Sequence, residues 1–204
     1  MQINIDKKTG ALLGVIAMLI SIFLLTVLRP SSDNSDAGIH GNHSMGMNSS
    51  KTNNGYTGAD IMFLQMMIPH HQQAIDISNL ALKTSKDKEL LDLAKIIIEV
   101  QSSEIAQMNA WLKDAGATTD PGHSMDGMGG MLNERELTDL SAASGKSFDT
   151  LWLKGMIEHH DGAVHMTTMI RDASNTEIQT FGENIVKDQT AQIKQMKEML
   201  KRIG

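Results

Sequence analysis

The chain has 204 residues, a formal net charge of −6 and no cysteine. The lack of cysteine excludes a disulfide framework and any thiolate metal site, and the acidic charge argues against nucleic acid as a partner while suiting cations. Aromatic residues make up only 3% of the chain, whereas methionine occurs 16 times. The core must therefore be built from Leu, Ile, Met and Ala.

An apolar run at residues 11–28 follows Lys7 and Lys8. Its length is typical of a membrane-spanning helix and exceeds the usual core of a signal peptide. Lysines on its N-terminal side place that end in the cytoplasm. We expect residues 1–29 to form a signal anchor, which makes this a single-pass protein of the cell membrane with its C-terminal domain in the periplasm or outside the cell. A cleaved signal, cut near residues 35–37, is the alternative and exports the same domain.

Residues 30–57 are rich in Ser, Asn, Asp and Gly, which predicts a flexible linker. The linker carries His43, Met45 and Met47 within the stretch His-Ser-Met-Gly-Met. Because this stretch has no helical periodicity, its methionines are not explained as core residues. They are candidate metal ligands.

Four long helices and one short helix are predicted from apolar periodicity and capping residues in the domain at residues 58–204. The first long helix starts near Ala59, and a turn at 84–87 separates it from the second, which ends near 111–112. A Gly- and Met-rich loop follows at 116–132, and a capping box at 133–136 then starts the short helix, which ends by Gly145. Ser147 caps the third long helix, which runs to about Asp172, and a capping box at 174–177 starts the fourth. No segment shows the alternating pattern of a strand.

The chain contains two copies of one helical unit. Residues 63–78, FLQMMIPHHQQAIDIS, match residues 152–167, WLKGMIEHHDGAVHMT, at an offset of 89. Residues 105–113 match residues 193–201 at an offset of 88. The repeat predicts an all-α fold in which two similar helical hairpins pack as an antiparallel four-helix bundle. Equivalent positions would then face each other across a pseudo-twofold axis, which would bring the two histidine pairs toward one region. A parallel or an offset arrangement of the hairpins is the alternative.

The repeated unit carries the first set of candidate metal ligands. Side chains three and four residues apart share one face of a helix, so a methionine lies beside a histidine pair in each copy. The candidates are Met67, His70 and His71 in the first copy, and Met156, His159, His160, Asp161, His165 and Met169 in the second. Thioether and imidazole suit Cu(I), and imidazole with carboxylate suits Cu(II). The competing interpretation is that these histidines are core residues kept by gene duplication.

The long loop carries a second set, which resembles the linker motif. His123, Met125, Met128 and Met131 lie in a stretch with several glycines, and glycine lets the backbone bring several sulfurs toward one ion. The competing interpretation is a low-complexity loop with chance methionines. Thioether-rich loops predict a preference for Cu(I).

The segments MIPHHQQAID and MIEHHDGAVHM resemble the repeated signature of the bacterial family labelled domain of unknown function 305. The resemblance covers roughly residues 58–204. Members of that family are mostly exported, share a ferritin-like four-helix bundle and include periplasmic copper-binding proteins. The resemblance implies a copper-binding role for His70, His71, His159 and His160, with Met67 and Met156 near them.

We therefore expect an exported, membrane-anchored protein that buffers or transfers copper, as Cu(I) and also Cu(II), with no organic cofactor. Its expected partners are copper ions, the membrane and a copper-transfer protein. A ferritin-like di-iron oxidase requires Glu-x-x-His motifs, and none occurs in the sequence, so we do not expect an enzyme. The remaining alternative is a structural or adaptor bundle at the membrane surface that binds no metal.

Overall fold

The computed structural model describes residues 54–120, 122 and 128–204. Over these residues the chain forms five helices and a 3-10 turn and contains no strand, which confirms the all-α prediction. The helices are α1 (Gly58–Thr84), α2 (Lys88–Asp114), α3 (Glu134–Ala142), α4 (Gly145–Met166) and α5 (Thr176–Ile203), with the 3-10 turn at Thr167–Ile170.

The predicted membrane segment at residues 11–28 lies outside the described residues, as do the linker residues His43, Met45 and Met47. Within the described part of the chain, no helix is both long enough and apolar enough to cross a membrane.

Local capping explains where most helices begin. A reciprocal capping box between Thr57 and Asp60 starts α1, and the side chain of Asp87 accepts a hydrogen bond from the N–H of Leu90 at the start of α2. A second capping box, between Asn133 and Glu136, starts α3. These side chains satisfy backbone donors that have no partner in the first turn of a helix.

Two predicted limits of the third long helix are wrong. The helix begins at Gly145, where a positive φ of 54° turns the chain, and not with a cap at Ser147. It ends at Met166 and not near Asp172, because the hydroxyl groups of Thr167 and Thr168 donate to carbonyls three residues earlier, each at 2.8 Å. Such bonds compete with the α-helical pattern.

The start of the last helix also differs by one residue from the prediction. Its cap is Asn175 and not Ser174: the Asn175 side-chain oxygen accepts hydrogen bonds from the N–H groups of Glu177 and Ile178. The predicted position and extent of α5 are otherwise close to those observed.

The long helices pair as two hairpins, α1 with α2 and α4 with α5, and α1 packs on α4 to join them. Two hydrogen bonds from α4 also reach the first hairpin. The indole N–H of Trp152 donates to the carbonyl of Ile77 at 3.1 Å, and the hydroxyl of Ser85 donates to the carboxylate of Asp149 at 2.6 Å.

The bundle has two hydrophobic core clusters instead of one continuous core. The first core cluster includes Ala74, Ile97, Trp152, Met156 and Met196, and the second includes Met67, Met108, Ala163, Met166 and Ile185. On α1 the sequence passes from the second cluster to the first across a histidine pair, and on α4 it passes back across the other pair. Polar residues therefore divide the core at one level of the bundle.

Candidate metal centre

Eight residues make up this division, two from each long helix, and we refer to them as the polar layer. They are His70 and His71 on α1, Gln101 and Glu104 on α2, His159 and His160 on α4, and Gln189 and Gln192 on α5. Each residue of the first hairpin corresponds to one of the second at an offset of 88 or 89. The layer is thus a product of the repeat.

The two histidine pairs meet inside the bundle. All four side chains have 0% relative exposure. The ring centroids of His70 and His159 lie 3.7 Å apart, while the adjacent rings within each pair lie 6.4 Å apart in the first copy and 6.2 Å in the second. The repeat therefore brings both pairs to one interior location.

The hydrogen bonds of the central histidines indicate which ring nitrogen carries the proton. His70 Nε2 lies 2.9 Å from the carbonyl oxygen of Gly129, and His159 Nε2 lies 3.0 Å from the carbonyl oxygen of His70. A carbonyl oxygen can only accept a hydrogen bond, so both Nε2 atoms carry hydrogen. The Nδ1 atoms are then left with free lone pairs.

The outer two histidines have the same arrangement with side-chain partners. His71 Nε2 donates to the carboxylate of Glu104 at 2.8 Å, and His160 Nε2 donates to the amide oxygen of Gln192 at 2.6 Å. All four rings therefore present Nδ1 as the unprotonated nitrogen. A histidine that binds a metal through one nitrogen and donates the other N–H to a carbonyl or carboxylate is the usual arrangement around protein-bound metals.

The polar layer contains an excess of acceptors without donors. The four histidine Nδ1 atoms and the Oε1 atoms of Gln101 and Gln189 are buried and have no hydrogen-bond partner. Buried polar atoms are nearly always hydrogen-bonded, and an unsatisfied one costs about 1–3 kcal/mol. Six such acceptors at one level of a core have the chemistry to receive a cation.

Burial keeps three of the four imidazoles neutral. It lowers the pKa of His70 to about 3, although the hydrogen bond to Gly129 opposes this shift, and it lowers the pKa of His160 to about 4. Burial and the neighbouring histidines lower the pKa of His159 well below its usual value. Imidazole binds metal only when neutral, so these rings are in the state that ligation requires at neutral pH.

The donors do not yet converge on one point. In the region covered by the structure, no group of three or more His, Asp or Glu side chains is arranged to hold a metal ion. Binding at the polar layer would therefore require the Nδ1 atoms to move closer together, or a donor of another type such as a thioether. Met67 and Met156 are fully buried, one in each core cluster beside the layer.

A short segment at residues 128–132, which we call the strap, lies against the histidines. Besides the contact between Gly129 and His70, the amide of Gln73 binds both backbone groups of Leu132: its NH2 donates to the carbonyl at 2.9 Å and its oxygen accepts from the N–H at 2.8 Å. The strap thus attaches the end of the long loop to α1.

Glycines on both sides let the strap approach α4. A Cβ on Gly162 would lie 1.3 Å from the Gly129 oxygen, and one on Gly130 would lie 2.0 Å from the Glu158 oxygen. Gly130 also has a φ of 78°, which favours glycine. Gly162 is the repeat counterpart of Gln73. The two copies thus differ at this position: Gln73 binds the strap with its amide, and Gly162 lets the strap approach because it has no side chain.

The remaining predicted ligands of the second copy lie elsewhere. Asp161 and His165 are exposed, and Met169 packs partly buried against the second core cluster in the 3-10 turn. Their expected alignment as one helical row required α4 to continue past Met166. None of the three belongs to the polar layer.

The structure describes two of the four candidate ligands in the long loop. Met128 and Met131 lie in the strap and are half-buried, and Met128 packs against the second core cluster. His123 and Met125 lie outside the described residues. The contact of Met128 with the core shows that position in a glycine-rich loop does not exclude a packing role for a methionine.

The sequence analysis missed Gln101, Glu104, Gln189 and Gln192, and also the contact between Gly129 and Gly162. A signal for the first four was present, because the repeat at an offset of 88 continues upstream as Gln-x-x-Glu in one copy and Gln-x-x-Gln in the other. No local pattern identifies the docking of the strap.

A family profile described as a domain of unknown function, DUF305, matches residues 60–200. A DUF305 fragment from Deinococcus radiodurans is 33% identical, with a TM-score of 0.67 over 72% of this chain and 97% of that one. A protein from Streptomyces coelicolor, provisionally described as a secreted DUF305 protein, is 30% identical, with a TM-score of 0.66 over 72% and 92%. A comparison with curated proteins finds no match.

The structure is also similar to that of CopM in a Cu(I)-bound form, at 32% identity with a TM-score of 0.59 over 70% of this chain and 96% of that one. CopM has further been solved in Cu(II)-bound, silver-bound and metal-free forms.

The lowered pKa values of His70, His159 and His160 predict that the metal-free protein loses stability in acid. In the unfolded chain these imidazoles take up protons near pH 6.5, whereas in the folded protein they stay neutral. The free energy of unfolding should therefore fall as the pH drops below about 6.5, by about 2 kcal/mol each for His70 and His160 at pH 5, with a further loss from His159. Urea titrations at pH 7.5 and 5.0 in chelating buffer measure this loss.

His165 provides the matched control because it is exposed. His165→Ala should show the same acid-induced loss as the parent, whereas His160→Gln should lose about 2 kcal/mol less. Identical losses in all three proteins would show that the buried histidines do not cause the pH dependence.

The approach of Gly129 to Gly162 predicts that Gly162→Ala displaces the strap without breaking α4, since alanine favours a helix. In metal-free protein, the His70 ring should then react several-fold faster with diethyl pyrocarbonate, as followed by peptide mass spectrometry. Gly58→Ala is the control, because a Cβ at Gly58 meets no atom within 4 Å. Equal reaction rates in the parent and Gly162→Ala would mean that the strap does not cover His70.

Proposed function

Since this chain belongs to the DUF305 family, we propose that it is an exported copper-binding protein that buffers copper or passes it on. The observation that carries the proposal is the set of buried Nδ1 atoms without partners in the polar layer. Burial lowers the pKa values of His70, His159 and His160, so these three rings are neutral nitrogen donors at neutral pH. Copper is the cargo of the protein in this proposal and not the cofactor of a reaction.

The donor chemistry favours a cation over other ligands. Each of the four histidines has its Nε2–H engaged with an oxygen, which fixes the ring orientation and leaves Nδ1 to bind. A water molecule could donate to only two of the six acceptors. A cation compensates several lone pairs at once, and imidazole is a common ligand of copper in either oxidation state.

The methionines support copper in particular among the metals that bind imidazole. Thioether sulfur selects Cu(I) over the harder divalent ions, and Met128 and Met131 lie in the strap, whose Gly129 carbonyl contacts His70. The similarity to CopM, solved with Cu(I), Cu(II) and silver, supports the same class of ligand. We propose that the methionine-bearing segments capture Cu(I) and that the polar layer retains copper.

The proposed cellular location is supported by the sequence and by one relative. The apolar run at residues 11–28 would anchor the chain in the membrane and export residues 30–204, and the Streptomyces coelicolor relative is described as secreted. The absence of cysteine suits an oxidising compartment, in which methionine and histidine remain as copper ligands. A copper-transfer protein would be the partner that delivers or receives the ion.

This proposal predicts that the two ligand sets can be separated. Replacing His70, His71, His159 and His160 together with leucine keeps the buried space filled with side-chain atoms but removes the nitrogen donors. This variant should lose Cu(II) binding and keep part of its Cu(I) binding. Replacing Met45, Met47, Met125, Met128 and Met131 with leucine should weaken Cu(I) binding and spare Cu(II). Equilibrium dialysis with each ion measures both effects, and circular dichroism checks the fold.

The controls for this experiment are His165→Ala and Met62→Leu, which change exposed residues outside both sets. Both control variants should bind copper like the parent. If the four-histidine variant remains folded and retains all of its Cu(II) binding, the polar layer does not bind copper. If neither set of substitutions changes binding of either ion, the alternative of a structural or adaptor bundle is correct.

A further inference from the structure

The two halves of the polar layer are chemically unequal at one pair of equivalent positions. In the first hairpin the partner of His71 is a carboxylate, Glu104, and in the second the partner of His160 is an amide, Gln192. The two partners occupy matching positions of the repeat, and their hydrogen bonds have similar lengths, 2.8 Å and 2.6 Å. Only the charge differs.

The second hairpin shows that an amide is sufficient for the structural role. Gln192 accepts the hydrogen bond of a fully buried imidazole, which orients the ring and satisfies its N–H. Packing and hydrogen bonding therefore do not explain why Glu104 is a carboxylate. A glutamine there would preserve both.

The negative charge of Glu104 also has a cost. Its side chain is only 16% exposed, and partial burial disfavours the charge of a carboxylate. The charge of Glu104 also acts on a second carboxylate, Asp188 on α5. Burial raises the pKa of Asp188, the charge of Lys187 opposes this shift, and the charge of Glu104 raises the pKa further. Glu104 and Asp188 are thus close enough to repel each other, and a cation near them would stabilise both.

We propose that Glu104 is a positioning residue that makes the His71 half of the polar layer the higher-affinity half for copper. The carboxylate acts through the ring: it holds the Nε2–H, increases the electron density at Nδ1 and supplies the negative charge that offsets a bound cation. Gln192 orients His160 in the same way but provides no charge. This inference rests on the proposed copper-binding function and names the residue that sets its affinity.

The test measures the Cu(II) affinity of three variants of the full chain by competition titration: Glu104→Gln, Gln192→Glu, and the double swap, which carries both substitutions. Glu104→Gln should weaken the tightest site about 10- to 100-fold, the range found for partners of metal-binding histidines. Because the substituted amide can make the bond that Gln192 makes, urea unfolding of the metal-free variant should show no loss of stability. The double swap should restore most of the lost affinity by moving the carboxylate to His160.

Asp188→Asn is the matched control, since it removes a nearby charge that is not bonded to a histidine. Its effect on affinity should be several-fold smaller than that of Glu104→Gln. Gln192→Glu tests the proposal even if Glu104→Gln fails to fold, because it should tighten copper binding by about 10-fold.

Three results would overturn the inference: unchanged affinity in folded Glu104→Gln, unchanged affinity in Gln192→Glu, or equal losses in Glu104→Gln and Asp188→Asn. Failure of the proposed function itself gives a different result, namely full Cu(II) binding by a protein that lacks all four histidines.

Discussion

Four imidazoles are buried at the level where the hydrophobic core divides, and the other features of the bundle are arranged around them. Each ring has one nitrogen satisfied by an oxygen and the other left without a partner. A bundle selected only for stability would fill this level with apolar side chains, because unsatisfied buried acceptors disfavour folding. The two core clusters on either side stabilise the fold enough to tolerate the layer. We interpret the layer as the functional part of the bundle and the clusters as its support.

Duplication explains both the symmetry of this layer and its departures from symmetry. The repeat places equivalent histidines across the contact between α1 and α4, so a single ancestral hairpin already contained half of the layer. Divergence then altered the surroundings. Gln73 and Gly162 occupy matching positions and hold the same strap, one with an amide and the other by lacking a side chain. Glu104 and Gln192 likewise match in position but differ in charge. The differences between copies are therefore as informative about function as the shared residues.

Much of the fold could be predicted from the sequence because its signals are local. Capping residues and apolar periodicity gave the helices, and the repeat gave the pairing that joins the histidine pairs. The end of α4 was missed because the bonds from Thr167 and Thr168 override a helical pattern that continues past them. Gln101 and Gln189 were missed because a polar residue on an amphipathic helix has the same appearance in sequence whether it faces water or the interior. The ligand assignments themselves stay predictions.

Long-range proton–nitrogen NMR on protein labelled with 15N-histidine reports which nitrogen of each imidazole ring carries the proton. In metal-free protein at pH 7.5, the account predicts that His70, His71, His159 and His160 are all protonated at Nε2 and unprotonated at Nδ1. Addition of Cu(I) should shift the Nδ1 signals while the Nε2 atoms keep their protons. The account would be contradicted if the Nδ1 atoms were protonated in the metal-free protein, or if their signals stayed unchanged while copper was bound.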